Sequence, residues 1–98
     1  TGEEAVRALN AIYANESQKS VFLDAMGQVP TFAGVEFLRG VALNAPGAGE
    51  RLMAVRALAQ SQASEAPDAL RAVLAAEPDS AVRTEVERYV RAAERRGR

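Results

Sequence analysis

The chain has 98 residues, 48% hydrophobic and 26% charged, which is enough to bury one core without metal or disulfide staples. Its 12 basic and 13 acidic residues give a net charge of -1, which excludes a global positive field for nucleic acid or an anionic membrane. There is no cysteine and no histidine, so disulfides, thiolate zinc sites, cysteine nucleophiles and the usual general base are excluded.

Six helices are predicted from caps and breakers, because alanine, leucine, arginine and glutamate dominate and β-branched residues never alternate as in strands. Thr1 and Glu4 are spaced as a capping box for the first helix. Thr31 is the predicted cap of the third helix and Ser64 that of the fifth, in which Pro67 sits in the first turn. The predicted ranges are 2–15, 17–28, 32–44, 50–60, 65–76 and, capped by Asp79 or Ser80, 80–95.

The sequence divides without gaps into three blocks, 1–32, 33–64 and 65–96, which share a pattern. Arg7, Arg39 and Arg71 align, each three residues after an acid. Other aligned sets are Lys19, Arg51 and Arg83; Phe22, Ala54 and Val86; and Met26, Leu58 and Val90. The recurrence favours three helix hairpins of about 32 residues, stacked because one hairpin cannot bury its apolar face alone. A non-repetitive bundle of similar helices is the alternative.

We therefore predict an all-α fold, a short right-handed α-solenoid of three hairpins that forms a single domain over residues 1–98. The first helix should contribute Val6, Leu9, Ile12 and Tyr13 to the core. The array should be elongated rather than spherical. At its carboxyl end, Glu85 and Glu87 replace apolar residues of the earlier blocks, which predicts a terminal cap with a polar outer face. The ring of Tyr89 is expected either to cover the end of the core or to serve as an exposed anchor for a partner.

The third block contains the run 70–74, Leu-Arg-Ala-Val-Leu, the turn residue Asp79, and Val82-Arg83 followed by Val86 and Val90. In these positions it resembles a HEAT repeat of the short bacterial type. The middle block matches in part, with Gly47 where the turn aspartate belongs, and the first block matches less. The resemblance implies an armadillo-like scaffold or a protein- or peptide-binding module, and a hydrogen bond between Arg83 and Asp79.

Charged residues at helical spacing are interpreted as local ion pairs. The predicted pairs, each at i, i+3, are Glu4–Arg7, Glu36–Arg39 and Asp68–Arg71. No carboxylate pair is placed for burial, no Asp-rich loop suits a metal ion, and the segment 47–49 lacks the residues of a phosphate loop. The sequence thus predicts neither an enzyme nor a cofactor.

The predicted function is protein–protein interaction or scaffolding through the second helices, which line the concave surface in such arrays. The candidate partner-binding residues are Asp24, Gln28, Arg56, Gln60, Arg88 and Arg91, and an acidic or extended peptide is the expected ligand. A structural spacer or oligomerisation element is the first alternative, so a monomer or weak oligomer is expected.

Nucleic-acid binding is the second alternative. Residues 81–98 carry a net charge of +3 against -4 for residues 1–80, and Arg88, Arg91, Arg95 and Arg98 follow one another at helical spacing. The longest apolar run has five residues, too few to span a membrane. The cytoplasm is the default location, and an exported form with its signal removed is the other reading.

Overall fold

The computed structural model describes residues 2–15 and 17–96, which fold into six α-helices. Their bounds are α1 Gly2–Ala14, α2 Lys19–Gly27, α3 Phe32–Asn44, α4 Ala48–Gln60, α5 Ala66–Ala76 and α6 Ser80–Arg96. No strand occurs in this described part of the chain, which confirms the all-α prediction. Predicted and observed helix ends differ by at most two residues.

Two of the predicted helix caps are confirmed by their hydrogen bonds. The hydroxyl of Thr31 accepts from the Gly34 N–H at 3.0 Å and begins α3. The carboxylate of Asp79 accepts from the N–H groups of Ala81 and Val82 at 2.9 and 3.1 Å and begins α6. Each bond satisfies a backbone donor that the first helical turn leaves without a partner.

The predicted start of α5 is wrong by one residue, and so is its cap. The helix begins at Ala66, and the residue before it, Glu65, makes no capping bond with its side chain. Ser64 therefore is not the cap. Pro67 lies in the first turn as predicted, where a missing N–H costs nothing. The capping box predicted for Thr1 lies outside the described residues.

The helices pack against the helices one and two places away in the chain. α3 contacts α1, α2, α4 and α5, while α4 also contacts α2, α5 and α6, and α5 contacts α6. The described molecule measures 35 × 26 × 20 Å, with a Cα radius of gyration of 12.5 Å. A compact domain of this length has about 13 Å. The expectation of an elongated body was thus wrong, because all six helices share one hydrophobic core and the body is less than twice as long as it is thick.

The core is formed by apolar side chains from all six helices. Its largest fully buried side chains are Phe37, Leu23, Leu38, Leu58, Leu70, Val35, Val55, Val73 and Val86. Tyr13, Phe22 and Phe37 form an aromatic cluster between α1, α2 and α3, with ring centroids 5.3–5.9 Å apart and mostly edge-to-face. Ile12 does not join the core as predicted, because 55% of its surface stays exposed.

The backbones of α2 and α4 approach each other closely at Gly27. A Cβ atom on this residue would lie 2.8 Å from the carbonyl oxygen of Ala57 and 3.1 Å from its Cα. Neither backbone atom can move aside without shifting α4. The absence of a side chain at Gly27 therefore sets the distance between the two helices.

Candidate functional site

A groove between α4 and α6 is the most distinctive surface among the second helices of the blocks. Its lining is Arg56, Ala59 and Gln60 from α4 with Tyr89, Ala92 and Arg96 from α6, around a cavity of about 350 Å³. We call it the α4–α6 groove. Each helix contributes residues three or four positions apart, so each presents a single face. Ala59 and Ala92 are short, which leaves room between the polar side chains.

One wall of the groove is fixed by a network of three side chains. The guanidinium of Arg56 donates two hydrogen bonds to the Glu85 carboxylate, at 2.7 and 3.2 Å. The hydroxyl of Tyr89 donates to the same carboxylate at 2.6 Å. Glu85 keeps only 17% of its side chain exposed, whereas Arg56 keeps 54%. Arg56 is thus held in one orientation while much of its surface still faces solvent.

The network shifts the pKa values of its acidic and phenolic members. The bond from Arg56, followed by that from Tyr89, lowers the pKa of Glu85 to about 2. Burial, and then the bond to the negative carboxylate, raises the pKa of Tyr89. At neutral pH Glu85 is therefore ionised and Tyr89 keeps its proton. Arg56 and Tyr89 therefore remain hydrogen-bond donors and Glu85 remains the acceptor, so no group of this network is placed to transfer a proton.

The groove continues into a second, larger cavity of about 700 Å³ at the carboxyl ends of α2 and α4. Both cavities are lined by Ala59, Gln60 and Arg96. The second adds the amide side chains of Gln28 and Gln62, among other residues. Amides donate and accept hydrogen bonds, so this continuation can match the N–H and C=O groups of an extended backbone.

The structure brings together only part of the predicted partner-binding set. Arg56 and Gln60 line the groove, and Gln28 lines its continuation. Arg91 lies on another side of α6, where it pairs with Glu87 at 3.2 Å beside a separate cleft.

The two remaining residues of the predicted set are exposed side chains. Asp24 is exposed on α2. The guanidinium of Arg88 lies 5.9 Å from the ring centroid of Tyr89, within the range of a cation–π contact. Tyr89 itself is half-buried and packs against the core, as the first of its two predicted roles required.

Sequence reasoning misplaced Glu85 and did not select Arg96. Glu85 was expected on the polar outer face of a terminal cap, but it points back towards α4; only Glu87 takes an outward position. The alignment of the blocks contains a signal for this pair. Arg56 and Glu85 are separated by three residues less than the length of a block, so Arg56 lies beside the residue three places before its aligned position in the next block. An arginine and a glutamate with this separation can be recognised in the sequence as a pair.

A second polar cluster, at the turns between helices, holds the most deeply buried charge described. Glu77 is 4% exposed and accepts two hydrogen bonds from Arg51, at 3.0 and 3.1 Å, and one from the Asp79 N–H at 2.9 Å. Burial alone would raise the pKa of Glu77, but the bonds from Arg51 and Asp79 outweigh it and leave the pKa below its ordinary value. The cluster joins the turn before α4 to the turn before α6, because Arg51 and Glu77 lie 26 residues apart, so we interpret it as structural.

The aligned cations of this cluster repeat one contact. Arg51 donates to the carbonyl of Ala45 at 2.9 Å, and Arg83 donates to the carbonyl of Glu77 at 2.8 and 3.1 Å. In the first block the ammonium of Lys19 lies 5.2 Å from the ring centroid of Tyr13, six residues earlier as in the other pairs. Arg83 and Asp79 are hydrogen-bonded as expected, but through the backbone, where the Arg83 N–H donates to the Asp79 carbonyl at 2.9 Å. The guanidinium of Arg83 binds the carbonyl of Glu77 and not the carboxylate of Asp79.

The predicted ion pairs of the leading helices are present with one different partner. Arg39 pairs with Glu36 at 3.5 Å, and Arg71 pairs with Asp68 at 2.8 Å. Arg7 pairs with Glu3 at 3.4 Å, one residue earlier than the predicted acid. These side chains are exposed or half-buried, so each pair contributes about 0.2–0.5 kcal/mol at most.

Within residues 2–15 and 17–96, no three acidic side chains converge as metal ligands would. None of the described helices combines the length and the apolar character that crossing a membrane requires. Of the arginines proposed for nucleic acid, Arg91 is paired with Glu87, Arg95 is exposed, and Arg98 lies outside the described residues.

Comparison of the chain with protein-family models, with curated proteins and with solved structures finds no match in any of the three.

Proposed function

We propose that the chain is a short HEAT-like α-solenoid of three hairpins and that it acts as a non-catalytic protein–protein interaction module. Two observations support the solenoid. The helix pairs with the most extensive contacts are one or two places apart in the chain, as in a stack of hairpins. The contacts of Lys19, Arg51 and Arg83 with the residue six places earlier recur at the block length.

The observation that carries the binding proposal is the α4–α6 groove. Its alanines give an apolar base, Gln60 offers an amide, and Arg96 is a cation that makes no ion pair with any residue the structure describes. Arg56 is already oriented by Glu85, so binding a partner would cost little side-chain ordering there. These are the features of a surface that receives a partner segment, with no group positioned for chemistry.

The expected ligand is an extended segment with an acidic side chain. Its backbone would bond the amides of Gln60 and Gln28, and its carboxylate would approach Arg96 at the junction of the two cavities. An exposed helix end would bind a carboxylate weakly, since the charges stay solvated. We therefore expect modest affinity and a moderate dependence on salt.

The test begins with selection of extended peptides from a random displayed library against the whole chain. Binding of the selected peptides is then measured by calorimetry, and the bound site by chemical-shift changes of backbone amides. We expect enrichment of Asp or Glu and shift changes confined to α4, α6 and the end of α2. Gln60→Ala should weaken binding about 2- to 10-fold, the worth of one neutral hydrogen bond, and Arg96→Glu should weaken it further.

Arg71→Glu is the matched control for Arg96→Glu, because Arg71 is exposed on α5 and its only described partner is the exposed Asp68. It should leave peptide affinity unchanged. Equal loss in both arginine variants, or shift changes on α1, α3 and α5 instead, would contradict the groove. Retention on immobilised DNA that falls steeply with salt would point to the arginines of α6 acting on phosphate instead.

A further inference from the structure

The first helix, α1, is attached to the rest of the molecule by few buried side chains. Tyr13 is the one buried residue of α1, whereas α3 has six and α4, α5 and α6 have four each. Val6 and Leu9 are half-buried, and the other residues of α1 are exposed. Since burial of apolar surface is the main favourable contribution to packing, α1 is held less firmly than the later helices.

The contact between α1 and α3 is loosely packed. Among the described helices, α3 is the one with which α1 makes extensive contact. Two cavities, of about 410 and 280 Å³, are lined by residues of both helices, and Asn10 of α1 borders each of them. Phe32 of α3 borders the larger cavity and keeps 54% of its surface exposed. Side chains beside such cavities lose the dispersion contacts that close packing provides.

Tyr13 makes the specific contacts that hold α1 in place. Its ring lies 5.9 Å from that of Phe22 and 5.3 Å from that of Phe37, measured between centroids. Its hydroxyl donates a hydrogen bond to the Glu50 carboxylate in the first turn of α4. These contacts fix the carboxyl end of α1. An isolated helix of 13 residues is marginally stable in water, so α1 loses its helical structure when the contacts of Tyr13 break.

The later helices have contacts of their own that do not involve α1. α2 packs extensively on α3 and α4, with Leu23 fully buried and the backbone at Gly27 close to that of Ala57. The buried pair of Arg51 and Glu77 joins α4 to the turn before α6. These contacts are kept when α1 leaves α3, so α2–α6 retain their core.

We propose that α1 unfolds locally and reversibly while α2–α6 stay folded, and that Tyr13 is the residue that holds α1 closed. The opening uncovers the rings of Phe22 and Phe37, whose centroids lie 5.5 Å apart, so the chain has a second state with an exposed aromatic surface between α2 and α3. Both cavities of the α4–α6 groove are lined by residues from 28 onwards and persist in that state. Opening of α1 therefore does not depend on the proposed peptide binding.

Native-state hydrogen exchange of the whole chain, followed by NMR at low urea concentrations, measures this opening. The amides of Leu9 and Asn10 should exchange at least about tenfold faster than the slowest amides of α3–α6. Both lie away from the ends of α1, so fraying of the helix ends does not account for their exchange. Tyr13→Phe removes only the hydroxyl and should speed exchange in α1 by a further factor of about ten, the lower end for a hydrogen bond to a charged group.

Asp79→Ala separates local from global unfolding, because the cap that it removes belongs to α6, which stays folded when α1 opens. It should speed exchange of the slowest amides of α3–α6 and leave exchange in α1 unchanged. Asp68→Asn, at an exposed ion pair, is the matched control and should alter neither. Equal acceleration of α1 and α6 amides in Asp79→Ala, α1 amides as slow as those of α3–α6, or no effect of Tyr13→Phe on α1 would overturn the proposal.

Discussion

Replacing Glu77 tests how much of the fold depends on the one deeply buried carboxylate among the described residues. Glu77→Gln keeps the shape of the side chain but places an amide against the guanidinium of Arg51, so one of two charge-assisted bonds is lost and a donor faces a donor. Breaking a buried ion pair costs about 3–5 kcal/mol. We expect the lower end, about 3 kcal/mol, because Arg51 also donates to the carbonyls of Ala45 and Pro46.

A loss of about 3 kcal/mol would lower the melting temperature of a domain this size by roughly 12–24 °C. Thermal and urea unfolding followed by circular dichroism measure it. Asp68→Asn is the control, since its pair with Arg71 is exposed and should be worth less than about 1 kcal/mol. If Glu77→Gln were no more harmful than Asp68→Asn, the cluster would not be holding the turns. Pairing Glu77→Leu with Arg51→Met should restore part of the stability, because no charge is then left without its partner.

Three further outcomes are expected. Gly27→Ala should destabilise the fold by about 1–3 kcal/mol in urea unfolding. Gly40 has open space around it, so Gly40→Ala should stabilise the fold by about 0.5–1 kcal/mol. If Gly40→Ala were the more destabilising of the two, the close contact of α2 and α4 would be contradicted. Asp79→Ala should cost about 0.5–2 kcal/mol through the lost cap, and an unchanged melting temperature would refute that role. The pKa of Glu85 in the folded protein, about 2, lies below its ordinary value of 4.5. The stability that Glu85 contributes is therefore present above about pH 4.5 and is lost as the pH falls towards 2. Arg56→Gln should raise the pKa of Glu85 in a carboxyl NMR titration, and an unchanged pKa would show that Arg56 does not cause the shift.

The sequence predicted the structure correctly where a feature depends on residues close together in the chain. Thr31 and Asp79 are short polar side chains directly before helical runs, so their capping bonds could be predicted from position. Leu58 was likewise predicted from the recurring apolar positions of the blocks, and it is buried on the inner face of its helix.

The errors arose where a position depends on a neighbour in another block. Ile12 has the spacing of a core residue, but no helix lies on its side of α1, so it remains exposed. Glu85 was judged by polarity alone, although a cation one block earlier turns it inward. Glu77 attracted no attention, because nothing local distinguishes it from the other acids until Arg51 is known to face it. The groove depends on contacts between residues of different blocks, so the sequence predicted only some of its residues.

The polar contacts around the start of α4 depend on the order of the blocks along the chain. The hydroxyl of Tyr13 donates to the Glu50 carboxylate, and Arg51 reaches Glu77 in the opposite direction. A tandem duplicate of the middle block would set Ala45 where Tyr13 stands, leaving the duplicated Glu50 without its donor. Lengthening this chain by copying its middle block would require new contacts at each junction, so the three blocks share a sequence pattern yet are not interchangeable.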